Sequence, residues 1–153
     1  MNQDSRRSQL TPKLVDSLYV EAMVLADEAR SYFDVQAEAD RGTLEPLARV
    51  GFACESLRVT TRLMHIIAWL LTQRAVEAGE LTVGHARTPE RRLGDAVESD
   101  PLLLAKLPDN AVALVQASQE LYARVKRLEE GSVLADPQPS PARTLLSRLE
   151  RAF

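Results

Sequence analysis

Glu55, Arg58, Arg62, His65, Trp69 and Gln73 follow one another at spacings of three, four, three, four and four. On an α-helix those intervals place all six on one face. The line offers a carboxylate, two guanidinium groups and an imidazole, the raw material for proton transfer or for gripping a carboxylate. Catalysis asks for more: a base within reach of a nucleophile, or two carboxylates acting as a pair. Neither converges on this seam. It reads as a polar strip in which Glu55 pairs locally with Arg58, while Arg62 reaches a neighbouring helix or receives a partner's carboxylate.

The other reactive residue types are scattered. Structural zinc takes four ligands from short-spaced Cys and His pairs, and Cys54, His65 and His85 form no such pair, so no metal is expected. A nucleophilic cysteine needs a base and an electropositive niche; Cys54 falls on an apolar side of its helix and reads as a small core residue. Gly79, Gly84 and Gly94 are too dispersed for a phosphate-binding loop. The chain is expected to be non-enzymatic, with no cofactor and no small-molecule substrate.

These residues lie in a chain of 153 residues, 45% hydrophobic and 27% charged, with net charge −3. The mean hydropathy is −0.19 and the pI near 5.5. The size fits one domain over 1–153. The acidic balance disfavours nucleic acid and anionic membranes as partners. Charge is uneven: Asp16, Glu21, Asp27, Glu28, Asp34 and Glu38 make the first helix acidic, and Arg87, Arg91 and Arg92 cluster in a later loop. The single cysteine excludes an internal disulfide and fits a reducing cytoplasm. The opening residues, MNQDSRRSQL, lack the apolar core of a signal peptide. A membrane span needs about 20 apolar residues, and Arg62 and Arg74 bracket the longest apolar segment too closely.

The pattern predicts an all-α fold, an antiparallel three-helix bundle with a long central helix and a short C-terminal helix. Thr11-Pro12 suits a helix start, and Leu18, Ala22, Leu25, Ala29 and Tyr32 form a bundle seam, giving a helix over 12–39. Asp40-Arg41-Gly42 should break it, with Gly42 in a left-handed C-terminal position. The central helix spans 46–78. One of its apolar faces carries Val50, Ala53, Leu57, Thr61, Met64, Ala68, Leu71 and Ala75; another carries Phe52, Val59, Leu63, Ile66 and Leu70. Gly51 in its interior suggests a close approach or a mild bend. Residues 80–100 form an irregular loop with a short turn near Pro89–Leu93. Asp100-Pro101 starts another helix and Leu107-Pro108 breaks it. The third long helix spans 108–130, seamed by Leu114, Ser118, Leu121, Val125 and Leu128 and stopped at Gly131. An extended Pro-rich linker, 135–141, leads to a helix over 141–152, whose apolar side is Leu145, Leu146, Leu149 and Phe153.

A helix apolar over most of its circumference exceeds what two companion helices cover. A second copy is expected to shield the excess, on the face of Phe52, Val59, Leu63, Ile66 and Leu70. Trp69 suits either this interface or the core. Arg87, Arg91 and Arg92 are the expected docking residues for protein partners, because exposed loops carry recognition more often than packed elements do.

Two runs of the central helix carry a likeness. Glu55-Ser56-Leu57-Arg58-Val59-Thr60-Thr61-Arg62-Leu63-Met64, with Ala68-Trp69-Leu70-Leu71 and Gln73-Arg74-Ala75-Val76 after it, resembles the signature helix of the RcdA-like family, bacterial regulators of CtrA degradation. Leu107-Pro108 and Leu121-Tyr122-Ala123-Arg124-Val125-Lys126-Arg127-Leu128 extend the likeness, which spans roughly Pro12 to Glu130. It implies a three-helix bundle forming a homodimer, and a cell-cycle adaptor that brings cargo regulators to the primed ClpXP protease, with a C-terminal tail that matters for handing over cargo. The alternative is a dimeric structural or signalling bundle with no link to the protease.

Overall fold

The computed structural model describes residues 2–134 and 141–152. The described elements are α1 (Asn2–Ser31), a π-helical turn (Tyr32–Gln36), α2 (Ala37–Gly42), α3 (Pro46–Glu77), α4 (Val83–Ala86), a 3-10 turn (Pro89–Arg91), α5 (Pro101–Leu104), α6 (Asp109–Leu134) and α7 (Pro141–Ala152). The linker expected over 135–140 and the terminal Phe153 lie outside the described residues.

Local chemistry sets most of these boundaries. Pro46 opens α3 at its first position, where a missing N–H costs nothing. Gly79, at φ +75°, closes it in the left-handed conformation that glycine adopts without strain. Asp100 caps α5 by accepting the Leu102 N–H at 2.9 Å. Other boundaries differ from expectation. Helix α1 starts at Asn2 and carries Pro12 inside it. It passes through the π-helical turn into α2, and Gly42 keeps an ordinary φ, so the left-handed stop is not used there. Helix α6 runs past Gly131 to Leu134.

Helix α3 packs against both α1 and α6. Arg74 pairs with Asp16 at one end of the α1–α3 contact, and Phe52 meets Phe33 edge-on at the other. Those two helices are therefore antiparallel. The α3–α6 contact runs the other way. Leu103 lies against Gly51, Ser99 reaches Glu55, Arg62 reaches Ser118, and Gly94 touches both His65 and Tyr122. Helix α6 thus starts beside the beginning of α3 and runs parallel to it, which replaces the expected all-antiparallel order. The long connection makes this possible: ten extended residues reach roughly 33 Å, enough for residues 93–103 to travel back along α3 as a strap.

The core holds the α1 seam (Leu18, Ala22, Leu25, Ala29, Tyr32), the inner face of α3, and Ala111, Val115, Leu121 and Val125 of α6. Gly51 is explained by close approach, because Leu103 occupies the space a side chain would need. Tyr32 donates a 2.7 Å hydrogen bond to Asp40. Its phenol is pushed well above the ordinary range by burial first and by Asp40 second.

Candidate functional site

The polar seam of α3 becomes a buried knot beneath the strap. Glu55 is fully buried and Arg62 is 2% exposed. The Arg62 guanidinium donates to the Val97 carbonyl and to Ser99 Oγ, both at 2.8 Å, and to Ser118 Oγ at 3.3 Å. Ser99 in turn donates to Glu55 at 2.6 Å, and Arg58 completes that carboxylate's partners at 2.5 Å. Burial lowers the Arg62 pKa, Glu55 opposes that shift and Arg58 adds to it. Two further ties hold the strap: Tyr122 donates to the Gly94 carbonyl at 2.6 Å, and Leu93 N–H donates to Glu129 at 2.7 Å. His65 lies under the strap, its Nδ1 buried without a partner and facing Gly94. Trp69 is a core residue.

The knot is therefore structural. The chain's own Ser99, Ser118 and Val97 hold Arg62 by three hydrogen bonds, so it reaches its own fold rather than needing a partner's carboxylate to be satisfied. Sequence reasoning missed Val97 and Ser99 and placed Ser118 only as a seam position. Ser118, a polar residue inside the otherwise apolar Leu114–Leu121–Val125 seam, was the available signal.

The five residues expected at a dimer interface are all core. Phe52, Val59, Leu63, Ile66 and Leu70 are each 3% exposed or less, sealed by α1 and α6 of the same chain. What remains open is the opposite side of α3. Leu47, Val50, Cys54, Leu57, Thr61, Met64, Ala68 and Leu71 recur there at alternating spacings of three and four, and all are exposed. Leu57 is 68% exposed and Met64 64%. Cys54 belongs to this outer face rather than to the core. Ala53 and Thr60 are exposed beside it. Arg58, half-buried and paired with Glu55, is the one charge on or beside this band between Val50 and Leu71. Large apolar patches on a soluble protein mark interaction sites, and loss of charge is the compositional signal of an interface centre.

Arg91 and Arg92 are exposed, and Arg87 is half-buried with a partner within the fold. Among the described residues no set of three or more His, Cys, Asp or Glu side chains could hold a metal ion, so Cys54, His65 and His85 are not gathered. No described helix is long and apolar enough to cross a membrane.

Comparison with known proteins then bears on this geometry. Residues 6–153 match the family described as "Protein of unknown function (DUF1465)". Matching solved structures include RcdA from Caulobacter crescentus CB15, at 38% identity and a TM-score of 0.62, covering 75% of this chain and 87% of that one. The chain belongs to the RcdA-like DUF1465 family. No curated protein matches it. The likeness carried by the α3 runs is thereby borne out, and the outer face of α3 is a feature of an RcdA-like helical chain.

Proposed function

We propose that this RcdA-like protein is a non-enzymatic, cytoplasmic adaptor of regulated proteolysis that works as a homodimer and brings cargo regulators to the ClpXP protease. The observation that carries the reading is the outer face of α3, an apolar band along the longest described helix whose residues are exposed among the described residues of the chain. A protein that acts by contact needs such a surface, and an adaptor gains its effect by raising the local concentration of cargo at the protease. The 38% identity to RcdA supports placing that role here.

In this reading the outer face of α3 joins two copies. The loop carrying Arg87, Arg91 and Arg92 meets protein partners, with Arg91 and Arg92 the more exposed. Pull-down with the unfoldase, with and without its priming factor, tests the adaptor role. Enrichment that depends on the priming factor is expected. No enrichment in either condition removes the link to the protease and leaves a structural or signalling dimer.

A further inference from the structure

The geometry points to an antiparallel α3–α3 pairing in which every layer sets a large side chain against a small one. This deepens the homodimer reading above and rests on it. Along the outer face the residues fall into two alternating rows. One row holds Cys54, Thr61, Ala68 and Ala75; the other holds Val50, Leu57, Met64 and Leu71. The first row is small and the second large. All are exposed except Ala75, which is half-buried.

Two copies can use these rows in two ways. Parallel pairing stacks like on like: Cys54, Thr61 and Ala68 would each face themselves and leave gaps. Leu57, Met64 and Leu71 would each face themselves and force the helices apart. One interhelical distance cannot satisfy both, and interiors pack to near-crystalline density. Antiparallel pairing about a two-fold axis between Thr61 and Met64 removes the conflict. Val50 then meets the partner's Ala75, Cys54 the partner's Leu71, Leu57 the partner's Ala68, and Thr61 the partner's Met64. Symmetry repeats the four layers, giving a seam of uniform width. Alternating large and small side chains across facing positions is how two surfaces interdigitate. Opposed helix dipoles favour the same orientation by a small amount.

The occupant is a second copy because the face complements itself. Its partner must be apolar, uncharged and of equal length, with the large and small rows offset in the opposite sense. The same helix reversed meets every one of those demands. From Val50 to Ala75 the seam is about 38 Å long and one helix wide, roughly 400 Å² per copy. A standard interface takes about 800 Å² per partner. The seam alone therefore makes a small interface, of the size of weak, reversible pairing.

Cys54 makes the register testable in the full chain. In the antiparallel register the two Cys54 residues lie 17 positions apart along the seam, about 26 Å. A disulfide needs Cα atoms within about 7 Å. Mild oxidation of the native dimer should give no cross-linked species, and Leu71→Cys with Cys54 retained should cross-link between copies at least ten-fold faster. Leu71→Cys combined with Cys54→Ser should lose the cross-link. Rapid cross-linking of the native chain through Cys54 overturns the register in favour of parallel pairing. A Leu71→Cys chain that stays dimeric by light scattering but does not cross-link overturns the register while leaving the homodimer intact. A chain that is monomeric at every concentration overturns both.

Discussion

Replacing Arg62 by alanine is the sharpest perturbation of the folded chain. The side chain is 2% exposed and makes three hydrogen bonds, to Val97, Ser99 and Ser118. Its loss leaves Ser118 bonded to the Val115 carbonyl at 2.8 Å, and the Val97 carbonyl, on an exposed residue, regains water. Glu55 fares worse. It stays fully buried with Arg58 and Ser99 as its remaining partners. Losing the hydrogen bonds of one buried guanidinium, and its opposing charge beside a carboxylate that keeps Arg58, costs about 1.5–3 kcal/mol, a sizeable part of the roughly 5–15 kcal/mol that holds a domain together. With a urea slope of about 2 kcal/mol per molar, the unfolding midpoint should fall by about 1 M. The double variant Glu55→Leu/Arg62→Leu removes both buried charges and should recover at least half of that loss, because no buried charge is left to desolvate. Both variants should open residues 93–100 to limited proteolysis, since the strap has lost its latch. Urea denaturation of the wild type, Arg62→Ala, Glu55→Leu, Arg62→Leu and the double variant measures the coupling. A loss under about 1 kcal/mol for Arg62→Ala, or strictly additive effects, would refute the latch.

Two glycines should respond differently to alanine. At Gly94 the added carbon would fall 2.6 Å from the rigid His65 ring, so Gly94→Ala should cost about 1–3 kcal/mol and loosen the strap by hydrogen exchange. Gly51→Ala meets the flexible end of Leu103, and the helix-propensity gain of about 1 kcal/mol should leave its melting temperature nearly unchanged. Tyr32→Phe should cost about 1 kcal/mol through the lost bond to Asp40. Because the folded state holds the Tyr32 proton above its ordinary pKa, that contribution is complete below about pH 10 and declines as pH rises beyond it. The pH dependence above 10 should be shallower in Tyr32→Phe.

The three long helices and their inward seams were legible because a 3.6-residue period is a local property, as are the Pro46 start and the Gly79 stop of α3; Pro12, Gly42 and Gly131 lie within helices, where the surrounding period outweighs a single breaker. The α1 seam from Leu18 to Tyr32 and the α6 seam from Ser118 to Val125 lie where that period puts them. The choice between the two apolar faces of α3 was not legible. Both repeat every three or four residues, and only packing by α1 and α6 decides which turns inward. Volume held the clue: the buried face carries Phe52, Val59, Leu63, Ile66 and Leu70, while the open face interposes Cys54, Thr61 and Ala68. Helix direction was hidden for another reason. Residues 92–100 have no periodic pattern, and their role emerges only when Ser99 and Val97 meet Arg62, partners 37 and 35 positions away.

Light scattering of the purified chain across a micromolar range, beside Leu57→Arg and Leu63→Arg, tests the central claim most directly. The account predicts a wild-type dimer, a Leu57→Arg chain that is folded and monomeric, and a Leu63→Arg chain that loses its helical melting transition, because Leu57 lies on the open face and Leu63 in the core. A wild-type chain that is monomeric throughout, or a Leu57→Arg chain that dimerises as tightly as wild type, would contradict it.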